Sequence, residues 1–499
     1  MKNRIAITTL LISFFILIQI PQIGYAIDNI ITIKGKVFYD ANNNGVHDSK
    51  EKGLKNILIS NGKDIVKTDK NGLYAIKATI GESIFPIFPS EYIWSKSKSK
   101  VINANYLYLD PNHTILKDTI SWYVPAFKNE TPKLFSVGAI GDIQVDNAEE
   151  LNYAAKSIFS ELNNRNDISF NLMLGDIVND KVELLPIMHD MMNQLPSSSW
   201  TLIGNHDRNV DNTLFMNDAF NRVNGSDNYA FNYGKTHFIV LNNIFATDKK
   251  SYEGRLTDKQ LEFLKNDLSY VSKEKTIVIS QHIPMVATKN KKEILDLLKD
   301  YKSVLILSGH THTVNRYFFN HPNIQELGVG ATCGNWWRGE KNTEGIPSAL
   351  MQCGAPRGYF VINFDDDKYN FRFKGVGLDE TKQMALTTDS NRIVVNVFGG
   401  GDSTTVSIKI DNGEWVKMNH KKEIDPTVLS IVELNQSKVY PTKGNTANPL
   451  RKRYSSHIWE IARQKTSSPK TSVVLVKAQD RFGLNVEEKF LLYEHLNYR

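Results

Sequence analysis

The sequence predicts a layered α/β domain flanked by two β-sandwich-like domains. The chain of 499 residues is too long for one ordinary core and suits about three domains of ~150 residues. From residue 133 to residue 375, short apolar segments alternate with segments of helical periodicity, which is typical of an α/β domain with a buried sheet. Residues 27–125 and 376–499 instead contain short strand-like runs separated by turn residues.

The first residues predict a secretory signal peptide over residues 1–26. Lys2 and Arg4 precede an apolar run, and Gly24 and Ala26 place small residues before a cleavage site. The alternative is an uncleaved anchor helix, but the run is shorter than the ~20 residues that a membrane span prefers. No later segment is long and apolar enough to span a membrane, so we expect an exported protein, either periplasmic or extracellular.

The composition is that of a soluble globular protein, with 41% hydrophobic and 23% charged residues. The formal net charge of +6 is small for this length, and the lysines are scattered among acidic residues, so a nucleic-acid partner is not indicated. The two cysteines, Cys333 and Cys353, could pair in an oxidising compartment or remain two buried thiols. Nothing in the composition indicates an oligomeric state.

The N-terminal region contains strand-like segments bounded by Asn, Gly and Asp turns. These segments are 31–40, 57–62, 65–69, 72–78 and 119–127. Between the first two, "DANNNGVHDSKE" (40–51) fits the D-x-N-x-N-G-x₅-E pattern of a calcium loop. The side-chain oxygen donors would be Asp40, Asn42, Asn44, Asp48 and Glu51.

This loop resembles the calcium loops of extracellular Sdr-type B repeats, which implies a calcium ion that stiffens a β domain. Because asparagines replace acidic residues at two positions, we expect weak binding, on the order of millimolar. The alternative is an Asx-rich turn that needs no ion.

The middle region alternates apolar strands with amphipathic helices. The strand candidates are 134–140, 168–174, 200–204, 237–242, 276–280 and 303–308, and helical stretches include 148–163 and 256–271. Strand-like runs return in the C-terminal region at 392–400, 404–411, 472–480 and 489–495.

Polar clusters directly follow nearly every strand of the middle region. They are Asp142 and Gln144, Asp176, Asn205 and His206, His282, and finally His310 and His312. Because the carboxyl ends of strands in one sheet meet at a common edge, we expect these side chains to converge. Oxygen and imidazole donors suit divalent Mn, Fe, Zn or Co, and the set is larger than one ion needs. Two ions about 3.5–4 Å apart would use all of it.

The ordered motifs GD-x-Q, GD, GNHD, QH and GHTH resemble those of the calcineurin-like metallophosphoesterases. The layout also resembles a bacterial exported subfamily in which N- and C-terminal β domains flank the catalytic core. This resemblance implies a layered α/β/β/α sandwich and hydrolysis of a phosphate mono- or diester. In that reaction a hydroxide bridges the two metal ions.

The resemblance also implies individual roles. Asp142, Gln144 and His312 would hold the first ion, Asp176 would bridge, Asn205, His282 and His310 would hold the second ion, and His206 would be the general acid. Most of the superfamily has histidine at the position of Gln144. An amide oxygen is a harder donor than imidazole nitrogen, so Mn is favoured over Fe and Zn, with Mg a further candidate. Alternatively, Gln144 hydrogen-bonds an outer-shell water.

Two interpretations remain open beyond the metal ligands. Trp336, Trp337 and Arg338 could form a substrate pocket for a small phosphoester, or they could pack at a domain interface. For the whole protein, the alternative to an enzyme is a catalytically lapsed binding or adhesion module on the cell surface.

Overall fold

The computed structural model describes residues 30–95, 98–112, 118–129, 131–437, 448–463 and 470–494. The predicted signal peptide (1–26) lies outside these residues. Among the helices within the described ranges, none is long and apolar enough to cross a membrane. The structure confirms the predicted fold class, an α/β/β/α sandwich with a β-rich region on either side of it in the chain.

The N-terminal region packs two small sheets face to face. In β4, Tyr74, Ile76 and Ala78 are buried and the residues between them are exposed, as expected for a strand with one face on a core. One sheet has the order β4-β1-β9-β6, with β8 also paired to β1, and the other has the order β3-β2-β5-β7. The strands are β1 Ile31–Tyr39, β2 Leu58–Ser60, β3 Ile65–Lys67, β4 Leu73–Ala78, β5 Ser83–Ile87, β6 Tyr92–Trp94, β7 Leu107–Tyr108, β8 Thr119–Ser121 and β9 Val124–Lys128.

The middle region contains the two sheets of the sandwich. Its strands are β10 Leu134–Ile140, β11 Phe170–Leu174, β12 Ser198–Leu202, β13 Tyr229–Tyr233, β14 Thr236–Val240, β15 Ile244–Ala246, β16 Tyr252–Gly254, β17 Thr276–Ser280, β18 Ser303–Ser308, β19 Val314–Phe318, β20 Ile324–Val329, β21 Gly358–Asp365 and β22 Lys368–Gly375. The first sheet has the order β12-β11-β10-β21-β22, and the second has the order β13-β14-β17-β18-β20-β19.

Helices cover the outer faces of both sheets. The helices are α1 Ala148–Ala154, α2 Ser160–Asn163, α3 Leu185–Gln194, α4 Asp218–Asn224, α5 Asp258–Leu268 and α6 Lys291–Leu298, and a π-helical turn (Ala155–Phe159) joins α1 to α2. The segments from α1 to α3 pack on the first sheet, while α5 and α6 pack on the second. Between the sheets, Phe170 contacts Phe238, with ring centroids 5.4 Å apart. Strands β10, β11 and β12 are parallel, as are β14, β17 and β18, so their carboxyl ends form one edge in each sheet.

The C-terminal region forms two further antiparallel sheets, β23-β24-β28-β27 and β26-β25-β29-β30. A fully buried ion pair, Arg316 Nη1 to Asp480 Oδ2 at 3.0 Å, connects β19 to this region. The elements are β23 Met384–Thr388, β24 Arg392–Val397, β25 Thr405–Ile410, β26 Val416–Lys417, β27 Asn419–Glu423, α7 Pro426–Ser437, β28 Ser455–Ala462, β29 Lys470–Gln479 and β30 Asn485–Glu494. Helix α7 was not predicted.

Candidate metal centre and active site

The loops after β10, β11, β12, β17 and β18 bring the predicted carboxylates and imidazoles together. One ligand atom from each of Asp176, His282 and His310 lies within 4.8 Å of the others. His282 Nε2 is 3.2 Å from Asp176 Oδ2, and His312 Nε2 is 3.6 Å from Asp142 Oδ1. The backbone N–H of His310 donates to both carboxylate oxygens of Asp142 at 3.0 Å. Groups separated by more than 160 residues in the sequence therefore share one edge of the sandwich.

Three buried potential ligand atoms in this cluster have no hydrogen-bond partner among the residues that the structure describes: Gln144 Oε1, Asn205 Oδ1 and His282 Nε2, the last of which faces the Asp176 carboxylate. Buried acceptors are nearly always hydrogen-bonded, so three together need an explanation. A divalent cation supplies it, because each atom carries a lone pair that an ion can accept. The amide nitrogen of Gln144 donates to Asn179 Oδ1 at 3.3 Å, which leaves its oxygen available as a ligand. The residues present therefore fit metal ions.

The protonation of the histidines also suits metal binding. Burial lowers the pKa of His310 and His312 to about 4, so both imidazoles are neutral near pH 7, as ligands must be. Burial alone would lower the pKa of His282, but the carboxylate of Asp176 beside it raises the pKa to about 9. A proton and a cation therefore compete for His282, and metal binding at this residue would release a proton.

A backbone contact fixes the ring of His282. Its Nδ1 lies 2.8 Å from the carbonyl oxygen of Leu174. A carbonyl only accepts, so Nδ1 carries a hydrogen, and Nε2, the atom near Asp176, is the position for which a proton and a cation compete.

His206 lies at the margin of the cluster, with 27% of its side chain exposed. Its backbone N–H donates to Asp176 Oδ1 at 2.9 Å, and its Nδ1 is 2.8 Å from Asp180 Oδ1. The ring is thus held beside the candidate bridging carboxylate, and one nitrogen remains free to act on a substrate.

Most of the predicted ligand residues have a left-handed backbone. The φ values are 45° for Asp142, 48° for Gln144, 48° for Asp176, 72° for His310 and 50° for His312. Left-handed conformations are unfavourable for residues with a Cβ, and they cluster at functional sites. Space is short around the ligand residues: a Cβ on Gly204, which precedes Asn205, would lie 2.1 Å from both the backbone nitrogen and Oδ1 of Asp176.

The predicted substrate pocket divides into two parts. Trp336 is 36% exposed, and its ring lies 5.0 Å from that of His312, so it borders the metal cluster. Trp337 is buried, and its Nε1–H donates to the carbonyl oxygen of Ile143 at 2.8 Å. Arg338 is exposed. For Trp337 the packing alternative is therefore the one that the structure supports.

Cys333 and Cys353 are both free and buried, so the structure contains the two buried thiols rather than a disulfide. Cys333 Sγ lies 3.8 Å from His312 Nδ1, directly behind a candidate ligand.

In the predicted calcium loop, the two acidic side chains of lowest exposure accept hydrogen bonds from the loop itself. Asp40 accepts from the N–H groups of Asn44 and Gly45, at 3.1 and 2.6 Å. Glu51 accepts from the N–H groups of Ala41 and Asp48, at 3.0 and 2.9 Å. Asn42 and Asn44 both donate to Asp48 Oδ2, at 2.8 and 3.2 Å. This is the hydrogen bonding of an Asx-rich turn, and calcium binding stays a prediction.

Sequence reasoning missed several supporting residues. Asp180 was not distinguished from the other acidic residues of its loop. Asp207 was visible in the motif GNHD but unassigned; it is fully buried and accepts from the N–H groups of Val178 and Gly204, at 3.0 and 2.8 Å. Tyr252 lies edge-on to His310, with ring centroids 6.1 Å apart, and no motif surrounds it.

Comparisons with solved structures give distant likenesses. A purple acid phosphatase from yellow lupin seeds is 13% identical, with a TM-score of 0.36 over 64% of this chain and 67% of that chain. Vps29 from Entamoeba histolytica is 11% identical, with a TM-score of 0.26 over 48% and 91%. A phosphatase from Mycoplasma pneumoniae is 8% identical, with a TM-score of 0.26 over 72% and 94%. At these TM-scores the likenesses carry no argument about function.

Family models give a closer assignment, although comparison with curated proteins gives no match. The model for calcineurin-like phosphoesterase matches residues 135–314, which include every predicted metal ligand. The models for the N terminal and the C terminal of the same family match residues 41–115 and 326–485. The matches follow one another along the chain in the order expected for one protein. This chain belongs to the calcineurin-like phosphoesterases and is a metal-dependent phosphoesterase.

Proposed function

We propose that this protein is an exported, dinuclear metallophosphoesterase that hydrolyses small phosphate mono- or diesters. The observation that carries the proposal is the set of three buried potential ligand atoms that make no hydrogen bond within the described part of the chain. They are Gln144 Oε1, Asn205 Oδ1 and His282 Nε2, and they lie beside the neutral imidazoles of His310 and His312. One ion would be held by Asp142, Gln144 and His312, the other by Asn205, His282 and His310, with Asp176 between them. Manganese is favoured because Gln144 offers a neutral oxygen donor.

Cations and side chains have separate roles in the proposed reaction. When bound, the two cations supply the positive charge that activates water and offsets charge on the phosphoryl oxygens. His206 gives a proton to the leaving-group oxygen, and Asp180 orients the ring through Nδ1, so that Nε2 is the donating atom. Trp336, exposed beside His312, forms one wall of the substrate pocket.

Activity with two leaving groups tests this proposal. Nitrophenolate leaves without a proton, whereas an alkoxide needs one. We therefore expect His206→Ala to lower kcat about 10²–10⁴-fold for an alkyl phosphate and much less for p-nitrophenyl phosphate. The protein is loaded with Mn²⁺, and its metal content is measured. His321→Ala is the matched control, because His321 lies just before β20, at the opposite end of the strands from the cluster.

Equal losses for both leaving groups would contradict the role of His206 as acid. No turnover of mono- or diesters with Mn, Zn, Fe or Mg would favour the lapsed binding module. Export is tested separately by sequencing the N terminus of the protein from its native cells: a start near Ile27 is expected, and a start at Met1 would contradict cleavage.

A further inference from the structure

A cavity of about 850 Å³ lies outside the metal cluster, and none of the predicted site residues lines it. Its walls come from the π-helical turn, α2 and the residues after it, from the loop between β20 and β21, and from the end of β22 and the residues that follow. Four basic residues line it: Lys156, Arg165, Arg357 and Lys374.

Two of these cations are neutralised by carboxylates. Arg165 pairs with Asp167 at 2.5 Å and with Glu380 at 2.7 Å. Lys374 Nζ pairs with Glu161 Oε2 at 2.9 Å. Lys156 is exposed and therefore solvated.

Arg357 differs from the other three. It is 8% exposed, and among the described residues it has no carboxylate within ion-pair distance. Its Nη1 donates a hydrogen bond to Ser157 Oγ at 3.0 Å. A guanidinium has five N–H groups that can donate. The group lies over the ring of Trp337, 5.2 Å from the centroid. A charge with this burial normally has an anionic partner.

Burial lowers the pKa of Arg357 to about 10, so the group is still charged at neutral pH. The ionisable groups that act on it are the buried Cys333 thiol, Glu161, whose Oε2 is bound to Lys374 and whose Oε1 has no hydrogen-bond partner among the described residues, and the exposed Glu344. Neither carboxylate is within ion-pair distance of the guanidinium. Arg357 lines the cavity, and no carboxylate among the described residues pairs with its remaining N–H groups.

We propose that this cavity is a second binding site, for a small oxyanion held by the guanidinium fork of Arg357. The planar fork fits the two oxygens of a carboxylate or a phosphate group equally well, so these share the site chemistry. Trp337 backs the guanidinium on one side, and Ser157 fixes one of its nitrogens. The binding site does not depend on the proposed catalytic function.

Calorimetric titration of the full-length protein with inorganic phosphate, and separately with acetate, tests the proposal at an ionic strength held constant with NaCl. Phosphate is also a product of the proposed reaction and can bind at the metal centre. Metal-free wild-type protein is therefore titrated first, because its cavity is unaltered. One phosphate- or acetate-binding event is expected, and no event with either anion would overturn the proposal while leaving the catalytic function untouched.

Variants of the cavity residues then test whether the anion binds at Arg357. Arg357→Gln should weaken anion binding at least tenfold, and Arg357→Lys should weaken it less, because lysine keeps the charge without the fork. Lys156→Gln is the matched control on the rim of the same cavity and should change the affinity less than threefold. Near-UV circular dichroism checks that each variant is folded. Binding by folded Arg357→Gln that is as tight as in the wild type would overturn the assignment.

Discussion

Replacing Glu326 by glutamine should remove a specific pH dependence of stability. Glu326, on β20, is fully buried. Its Oε1 accepts from the backbone N–H of Met285 at 2.7 Å and from the Ser308 hydroxyl at 2.8 Å. It therefore joins the loop that follows His282 to the strand that leads to His310. Oε2 accepts from the backbone N–H of Val286 at 3.4 Å. Glutamine keeps the Oε1 acceptor, loses this longer bond at a cost that does not vary with pH, and removes the ionisable group.

Burial raises the pKa of Glu326 from 4.5 to about 7. Between these values the folded protein holds a proton that the unfolded chain has lost, so stability falls as the pH rises from 4.5 to 7. Each pKa unit corresponds to about 1.4 kcal/mol, so the total contribution is about 3 kcal/mol. Relative to the wild type, Glu326→Gln should therefore gain about 3 kcal/mol of stability over this interval.

The assay is urea unfolding of metal-free protein at several pH values between 4.5 and 8, so that metal binding does not contribute. The quantity of interest is the difference in unfolding free energy between variant and wild type at each pH. Glu274→Gln, at an exposed loop position, is the control for removing a carboxylate that is not buried. A difference for Glu326→Gln that stays constant across this pH range would refute the reasoning.

Three further predictions concern the metal centre. Asp180→Asn should lower kcat about 10- to 100-fold, the range for groups that orient a functional side chain, with a larger effect on alkyl than on nitrophenyl phosphates; an unchanged kcat would contradict the role of Asp180. Gly204→Ala should displace both the backbone and the carboxylate of Asp176 and lower kcat about 10²-fold together with metal content, and full metal content in the variant would contradict this. Gln144→His should shift metal preference from Mn²⁺ towards Zn²⁺ in competition titrations, and an unchanged preference would indicate that Gln144 contacts only an outer-shell water.

The sequence predicted the strands and helices whose apolar residues recur at regular spacing. Strand β11 and helix α5 follow from hydrophobic spacing, and the capping box formed by Thr257 and Gln260 marks the start of α5. Helix α7 was missed, although Val428, Ile431 and Val432 have the i, i+3, i+4 spacing of an amphipathic helix and Pro426 is its first residue.

The convergence of the candidate metal ligands was predictable because the carboxyl ends of parallel strands meet at one edge. The hydrogen-bond partners of the site residues were not predictable. The pairing of His206 with Asp180 depends on how two loops approach each other, and Asp180 has no distinguishing neighbour in the sequence. Trp336 and Trp337 are adjacent, but the left-handed backbone of Trp336, with φ of 87°, sends them to different environments, and sequence alone does not reveal such a turn.

The left-handed backbone of the ligand residues couples cation binding to folding. An isolated segment would avoid this conformation by about 1–2 kcal/mol per residue, so the loops have no tendency of their own to present their donors together. The surrounding sheets must therefore supply the free energy that holds the loops in this geometry. Cations would bind to the folded protein and not to the unfolded chain. Binding would therefore stabilise the folded state by mass action.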